Sequence, residues 1–221
     1  MGEAEFNVVE IFDSIDGEGK RTGELATFIR LAGCNLRCSY CDTPYGLEFT
    51  QGDKMTTTEI INACKEFGNK NITLTGGEPL ARLFIGDLIT ELALNDFEVN
   101  IETNGSIPLY QAPKLKNIFY TMDYKCPSSE VEDKMDKDNL KFLDEDDVLK
   151  FVVGSEEDLN KCCKILGQNN IKAQVYISPV FGKIEPVEIV NYMKEHKTIF
   201  KNSRVQVQLH KIIWNPDERG V

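Results

Sequence analysis

The sequence has few histidines, a deficit of basic residues and no long apolar run, and each shortage excludes a class of protein. Only two histidines occur among 221 residues. No stretch approaches the roughly 18 consecutive apolar residues that a membrane-spanning helix needs. Lysine and arginine total 25 against 36 acidic residues, so the net charge of −11 opposes binding to a phosphate backbone. We therefore expect no membrane association and no direct nucleic-acid partner.

An apolar signal segment is absent from the acidic start of the sequence, residues 1–5, and the seven cysteines are an odd number. Secreted disulfide-bonded proteins normally have a signal segment and paired cysteines. We therefore expect free thiols and a cytoplasmic protein. A length of 221 residues with 41% hydrophobic residues further predicts one globular domain, residues 1–221.

Three of the cysteines lie in one short loop with the spacing C-x3-C-x2-C: Cys34, Cys38 and Cys41. Thiolates are soft ligands that suit zinc, copper(I) and iron–sulfur clusters. A structural zinc site usually has four protein ligands in two separated pairs, and no second pair follows this loop. Three clustered thiolates instead predict a cubane iron–sulfur cluster whose fourth iron stays open for chemistry.

A zinc site remains an alternative, because the fold could bring another donor to the loop. Cys126 follows a predicted strand, and His210 lies much later in the sequence. Either residue would complete a four-ligand site. The other cysteines, Cys64, Cys162 and Cys163, fall in predicted helices, where we expect them to pack rather than to bind metal.

Hydrophobic periodicity predicts alternating strands and helices along most of the chain. Helices are expected after the capping sequences at 56–59 and 155–158 and over 80–95 and 186–196. Strands are expected at 7–12, 27–31, 71–75, 97–103, 118–123, 148–153, 172–178 and 204–209. Such alternation indicates a parallel sheet with right-handed crossovers. About six strands follow the one that delivers the cysteine loop, which is too few for an eight-stranded barrel. The fold class is therefore an incomplete (partial) α/β barrel.

Glycine-rich and polar sequences follow three of the predicted strands. They are Gly17-Glu18-Gly19, Gly76-Gly77-Glu78 and the segment 102–105. In open α/β sheets and barrels, ligands bind at the carboxyl ends of the strands. We therefore expect the functional site at that edge of the sheet, together with the cysteine loop.

The cysteine loop, with Tyr40 just before its last cysteine, resembles the signature loop of the radical S-adenosylmethionine (SAM) enzymes. The sequence Gly76-Gly77-Glu78-Pro79 resembles the segment of that superfamily that holds the amino group of SAM. This resemblance implies a 4Fe-4S cluster on Cys34, Cys38 and Cys41, with SAM chelating the fourth iron. One electron from the cluster would cleave SAM and give a 5′-deoxyadenosyl radical that takes hydrogen from the substrate.

A narrower resemblance is to the 7-carboxy-7-deazaguanine synthases of queuosine and 7-deazapurine biosynthesis. It is carried by segments 15–19, 27–30, 41–43 and 207–211. It implies a lyase that removes the C6 hydrogen of 6-carboxy-5,6,7,8-tetrahydropterin, contracts the ring, releases ammonia and regenerates SAM. It also implies magnesium, a homodimer, and an electron donor such as flavodoxin or ferredoxin.

The same resemblance, carried over residue by residue, implies three sets of ligand contacts. Magnesium would bind at Thr43. SAM would contact Tyr40, Cys41, Asp42, Gly77, Asn104, Ser178 and the main chain of Asp123, Tyr124 and Lys125. The pterin would contact Ile15, Asp16, Gly17, Glu18, Arg30, Thr75 and His210.

Position 16 departs from the family pattern, which more often has glutamine in this turn. An amide both donates and accepts hydrogen bonds, whereas an ionised aspartate only accepts. How Asp16 takes part in recognising the pterin is therefore open. Two other functions also remain open, namely a glycyl-radical-activating radical SAM enzyme and a non-catalytic zinc-binding protein.

Overall fold

The computed structural model describes residues 2–221, and within them nine strands form one sheet. The order across the sheet is β3-β1-β2-β4-β5-β6-β7-β8-β9. The strands are β1 Glu5–Ile15, β2 Leu25–Leu31, β3 Asp53–Thr56, β4 Asn71–Gly76, β5 Glu98–Thr103, β6 Ile118–Lys125, β7 Val148–Val153, β8 Gln174–Pro179 and β9 Ser203–Val205.

Six α-helices in the same range pack on or beside this sheet. They are α1 Thr57–Phe67, α2 Ile85–Leu94, α3 Glu156–Gln168, α4 Pro186–Glu195, α5 Lys197–Phe200 and α6 His210–Ile213. Short 3-10 turns include Pro44–Gly46 and Pro79–Ala81. No helix within residues 2–221 combines the length and the apolar character needed to cross a bilayer.

The parallel part of the sheet starts at the strand that delivers the cysteine loop. Strand β2 pairs in parallel with β4, and every neighbouring pair from there to β9 is parallel as well. Strand β1 is antiparallel to both β2 and β3. The order ends at β3 and β9, so the sheet is a partial barrel, as the sequence predicts. Six parallel strands follow β2, and only the short, largely exposed β3 was not expected.

The two faces of the sheet differ in polarity because successive residues of a strand point to opposite sides. Leu74 and Ile101 belong to the apolar core together with Ile60 of α1 and Leu88 of α2. The intervening residues of β4 and β5 are polar and occupy the inner face: Thr73, Thr75, Asn100 and Glu102. Helices therefore cover the outer face, and the inner face offers polar groups to ligands.

The helix predicted over 80–95 begins later, at Ile85. The Glu78 carboxylate accepts a hydrogen bond from Leu80 N and holds the first residues as the 3-10 turn Pro79–Ala81. Phe84 then adopts a left-handed conformation with φ 61° and is 67% exposed, instead of joining the apolar stripe. A capping hydrogen bond in this case outweighs the hydrophobic periodicity.

The last predicted strand, 204–209, forms only as Ser203–Val205. Residues beyond it bind the loop between β1 and β2 instead of extending the sheet. Gly19 N donates to the Gln206 side chain at 2.7 Å, and Leu209 N donates to Gly17 O at 3.0 Å. These contacts join one side of the open barrel to the other without strand pairing.

A buried ion pair fixes the loop between β1 and β2 to the inner face of the sheet. Arg21 Nε donates to Asp16 Oδ2 at 2.8 Å, and both side chains are less than a tenth exposed. Thr73 Oγ1 donates to Asp16 Oδ1 at 2.6 Å. The guanidinium group also donates to the main-chain oxygens of Ile72 and Glu98. Burial raises the pKa of Asp16, an effect that Arg21 and Thr73 oppose.

We expect Asp16→Ala to lower the free energy of unfolding by about 3–5 kcal/mol, because it leaves the Arg21 guanidinium buried without its counter-charge. Urea unfolding of the anaerobically prepared protein measures this change. Asp53→Ala is the matched control, since it removes an exposed carboxylate from β3, and it should cost at most about 0.5 kcal/mol. An equally small change in both variants would contradict a stabilising role for the pair.

Candidate active site

A cavity of about 290 Å³ opens on the inner face of the sheet. Its walls come from the carboxyl ends of the parallel strands, the cysteine loop and the loop after β1. It brings together most of the residues that the sequence assigns to ligands: Ile15, Gly17, Glu18, Arg30, Cys34, Cys38, Tyr40, Cys41, Asp42, Thr43, Thr75, Gly77, Asn104, Asp123, Lys125 and His210.

Main-chain hydrogen bonds from the segment after β4 hold the end of β2 and the start of the cysteine loop in place. Gly77 N donates to Leu31 O at 3.1 Å, and Glu78 N donates to Gly33 O at 2.9 Å. A methyl group added at Gly77 would lie 2.3 Å from Gly33 O. Glycine at position 77 therefore allows the end of β4 to approach the backbone that leads into Cys34.

The three loop thiols have the properties that an iron–sulfur cluster requires. All three are free and border the same cavity. Cys34 Sγ accepts hydrogen bonds from Leu36 N at 3.4 Å and from Asn104 Nδ2 at 3.7 Å, which suit a thiolate. Burial raises the pKa of Cys34 and of Cys38, so cluster binding would displace their protons. The residues present fit the cluster.

The geometry also bears on the zinc alternative. Within residues 2–221, no three His, Cys, Asp or Glu side chains converge on one metal position. A cubane needs no such convergence, because each thiolate binds a different iron. Cys126, one candidate for a fourth zinc ligand, is outside the cavity, fully buried, with its sulfur 3.9 Å from Cys162 Sγ.

Glu78 connects the ends of β4 and β5 beneath the cysteine loop. It is fully buried and accepts hydrogen bonds from Leu80 N, Thr103 Oγ1 and Asn104 N at 3.0, 2.8 and 2.6 Å. Burial raises its pKa to about 7, against the effect of these donors. By binding the main-chain N–H of Asn104, Glu78 positions this residue so that its side-chain amide donates to Cys34 Sγ.

A row of alternating charges crosses the inner face of the barrel. Lys150 Nζ lies 3.2 Å from Glu18 Oε2 and 3.0 Å from Asp123 Oδ1, and Asp123 Oδ2 lies 3.0 Å from Lys125 Nζ. Glu102 faces the same space and accepts a hydrogen bond from Thr75 Oγ1 at 2.8 Å. The row leads from the loop after β1 toward the cysteine loop.

One acceptor in this row has no partner. Glu18 Oε1 is buried, and nothing within residues 2–221 donates a hydrogen bond to it. Buried carboxylate oxygens without a donor are costly, and a bound ligand is one way in which proteins satisfy them. Because Glu18 lines the cavity, this oxygen is suited to an N–H group of a ligand.

The cavity also has a cationic and aromatic wall. The rings of Phe12 and Phe28 stack with centroids 5.0 Å apart and planes 10° apart. Arg30 Nε donates to Glu10 Oε1 at 2.6 Å, and its guanidinium carbon lies 5.7 Å from the Phe12 ring centroid. Both aromatic residues and Arg30 line the cavity. A flat, partly anionic molecule suits such a wall.

Sequence comparisons assign this site to a family. The profile described as Radical SAM superfamily matches residues 28–195. A protein of Clostridium acetobutylicum named 7-carboxy-7-deazaguanine synthase is 49% identical over 221 aligned residues, which cover 98% of this chain and 99% of that protein. The chain belongs to the 7-carboxy-7-deazaguanine synthase family. A protein of the same name from Methanospirillum hungatei is 37% identical and covers 95% of this chain and 86% of its own length.

Solved structures support the fold. The crystal structure of QueE from Escherichia coli has a TM-score of 0.72 at 22% identity, covering 92% of this chain and 94% of that one. Streptococcus suis SuiB bound to S-adenosylmethionine has a TM-score of 0.58 at 12% identity, covering 79% of this chain and 48% of that one. Both likenesses concern the arrangement of strands and helices.

Three residues that the family resemblance assigns to ligands do not line the cavity. Asp16 points to Arg21, as described above. Tyr124 turns outward, with its hydroxyl 3.1 Å from Glu132 Oε1. Ser178 is buried, and its hydroxyl has no hydrogen-bond partner within residues 2–221. The main-chain groups of Asp16 are also paired, because its N–H donates to Glu24 O at 2.9 Å and its O accepts from Gly23 N at 2.8 Å.

Gly17 and His210 meet at the edge of the cavity, although they are far apart in sequence. A methyl group at position 17 would collide with the His210 ring, which would then have to move. Burial lowers the pKa of His210, which favours the neutral imidazole. The structure thus brings two of the predicted pterin contacts together.

Lys150 and Glu102 line the cavity, but the sequence analysis did not assign either to a ligand. Lys150 interrupts the apolar strand sequence Val148–Val153, and this isolated charge was the available signal. Buried lysines are rare unless they are paired, so a charged residue inside an apolar strand indicates a partner on the same face. The sequence signal for Glu102 was weaker and consisted only of its position at the polar end of a predicted strand.

We expect Gly77→Ala to reduce the iron and sulfide content of the reconstituted protein, because the new methyl group would displace the backbone before Cys34. Far-UV circular dichroism should stay unchanged. Gly86→Ala is the matched control, since a methyl group in α2 would lie 3.6 Å from Pro113, an ordinary contact. Full cluster content in Gly77→Ala would show that this close approach is dispensable.

Proposed function

We propose that this chain converts 6-carboxy-5,6,7,8-tetrahydropterin to 7-carboxy-7-deazaguanine with loss of ammonia, in queuosine or 7-deazapurine biosynthesis. The proposal is carried by one cavity that combines the cysteine loop with an unpaired Glu18 oxygen. It is supported by the names of relatives that match nearly the whole chain.

Cys34, Cys38 and Cys41 would hold the 4Fe-4S cluster, and the main chain near Gly77 and Asp123–Lys125 would border SAM. When bound, the reduced cluster and SAM supply a 5′-deoxyadenosyl radical that takes the C6 hydrogen of the substrate. Lys125 carries a positive charge close to Cys38, which opposes the effect of burial on that thiol.

The polar groups of the cavity match those of the proposed substrate. The guanidine edge of a pterin carries N–H donors, and Glu18 Oε1 can accept one of them. The carboxylate and carbonyl groups are acceptors, and Arg30 offers a guanidinium group beside the aromatic wall. Asp16 would support the turn that presents Glu18, because its carboxylate is bound to Arg21 and Thr73 and its main-chain N–H and O are bound to Glu24 and Gly23.

Magnesium is also part of the proposal. Thr43 Oγ1 lies in the cavity 3.1 Å from Asp42 Oδ1. Magnesium prefers oxygen ligands and usually keeps water or substrate oxygens among them. Thr43 would therefore bind the ion together with the substrate carboxylate, and the ion would orient that carboxylate during ring contraction.

Three further expectations complete the proposal. The family resemblance suggests a homodimer and an electron donor such as flavodoxin or ferredoxin. A cytoplasmic location agrees with the seven free thiols, which persist in reducing compartments.

An anaerobic assay tests the function. Reconstituted protein with dithionite, SAM, magnesium and carboxytetrahydropterin should yield carboxydeazaguanine, without proportional consumption of SAM. Cys38→Ala should form neither product nor deoxyadenosine, because a cluster ligand is lost. Deoxyadenosine without carboxydeazaguanine would move the assignment to another radical SAM reaction, such as glycyl-radical activation. Stoichiometric zinc without iron would refute the radical reading.

We expect Thr43→Ala to weaken the magnesium dependence of turnover and to lower turnover on the order of tenfold, because one oxygen ligand is removed. Iron content and SAM binding should not change. Thr50→Ala, which truncates an exposed threonine, serves as the control. A Thr43→Ala protein with the magnesium titration curve of the unmodified protein would argue against the ion site.

A further inference from the structure

Lys150 occupies a position between the two proposed ligand sites. Its side chain is 7% exposed, and its ammonium group contacts Glu18 on one side and Asp123 on the other. Glu18 has the unpaired oxygen proposed to meet the pterin, and Asp123 belongs to the segment proposed to border SAM. One buried cation therefore contacts a carboxylate of each site.

We propose that Lys150 is a positioning residue that couples pterin binding to SAM binding. The inference rests on the proposed function and deepens it. Because a single ammonium group holds both carboxylates, a ligand that orders Glu18 also restrains Lys150, and through it Asp123. The second ligand then finds its site already arranged and loses less conformational freedom on binding.

The charges around Lys150 make this arrangement strongly dependent on the lysine. Burial acts to lower the pKa of Lys150, but Asp123, Glu18 and Glu102 outweigh burial and raise it well above the ordinary value. Without Lys150, the three carboxyl groups would lose the cation that they share, and within residues 2–221 only Asp123 would keep an ion-pair partner, Lys125. Like charges in a buried site repel strongly, so Glu18 and Asp123 would move apart or take up protons.

A purely stabilising role for Lys150 makes a different prediction. If the ion pairs of Lys150 were merely stabilising, their loss would lower the free energy of unfolding, or weaken the binding of both ligands equally, and would leave the coupling between the ligands unchanged. The coupling factor, the ratio of pterin dissociation constants without and with SAM, distinguishes the two roles. By thermodynamic linkage the same factor must appear when SAM binding is measured without and with pterin.

The experiment uses the cluster-loaded protein without reductant, so that SAM and carboxytetrahydropterin bind but do not react. Calorimetric titrations give the dissociation constant of each ligand alone and in the presence of the other. In the unmodified protein we expect SAM to tighten pterin binding by about 5- to 150-fold, the usual range of site coupling. Lys150→Met should bring this factor close to one.

Two further variants keep the test decisive. Lys150→Arg preserves the charge and should restore part of the coupling, even if Lys150→Met loads its cluster poorly. Lys114→Met is the matched control, because Lys114 pairs with Asp144 and Asp147 and does not line the cavity. Lys114→Met should leave the coupling factor unchanged.

A double variant tests whether Lys150 acts through Glu18. In a Glu18→Gln background, Lys150→Met should cause little further loss of pterin affinity.

The outcomes separate this inference from the proposed function. An unmodified protein that binds no carboxytetrahydropterin overturns both. An unmodified protein that binds it and forms carboxydeazaguanine, but has a coupling factor of one, overturns only the role of Lys150. A Lys150→Met protein with an unchanged coupling factor also overturns only the role of Lys150. Loss of coupling in Lys150→Met with retention in Lys114→Met supports the role.

Discussion

The pairing of buried charges on the inner face of the sheet is the constraint on which the site depends. Charged groups removed from water are tolerated only with partners of opposite sign and good geometry. Here Lys150 and Lys125 alternate with Glu18 and Asp123 at separations of 3.0–3.2 Å. The arrangement lets a parallel sheet with an apolar outer face keep ionised groups where ligands bind.

Hydrogen bonds to the loop after β1 explain how an open barrel forms one cavity on its inner face. Strand pairing ends at β9, yet Gln206 and Leu209 bind the loop after β1 through main-chain groups of Gly17 and Gly19. On the side of that loop facing the sheet, Arg21 reaches main-chain oxygens of β4 and β5. The loop thereby holds Glu18 next to Lys150 and Gly17 next to His210.

Features that depend on neighbouring residues could be predicted from the sequence, whereas features that depend on contacts between distant residues could not. The spacing of the three cysteines, the glycines before Glu78 and the order of strands after β2 are all readable within a few residues. The direction of a side chain at a strand end cannot be predicted in this way, because it depends on partners elsewhere in the chain. Asp16 turns toward Arg21 and Thr73, and Lys150 gains its importance only from Glu18 and Asp123.

Asp16 stabilises the turn after β1 instead of presenting its carboxylate to the cavity. A carboxylate at this position would meet the pterin only as an acceptor, and it would add negative charge beside Glu18. In this chain the Asp16 charge is instead matched by Arg21 on the inner side of the loop. Arg21 thus fixes the turn on the side that faces the sheet, and Glu18 is the residue of this turn that presents a carboxylate to the cavity. An aspartate at position 16 needs Arg21 beside it, because within residues 2–221 no other cation pairs with this buried carboxylate.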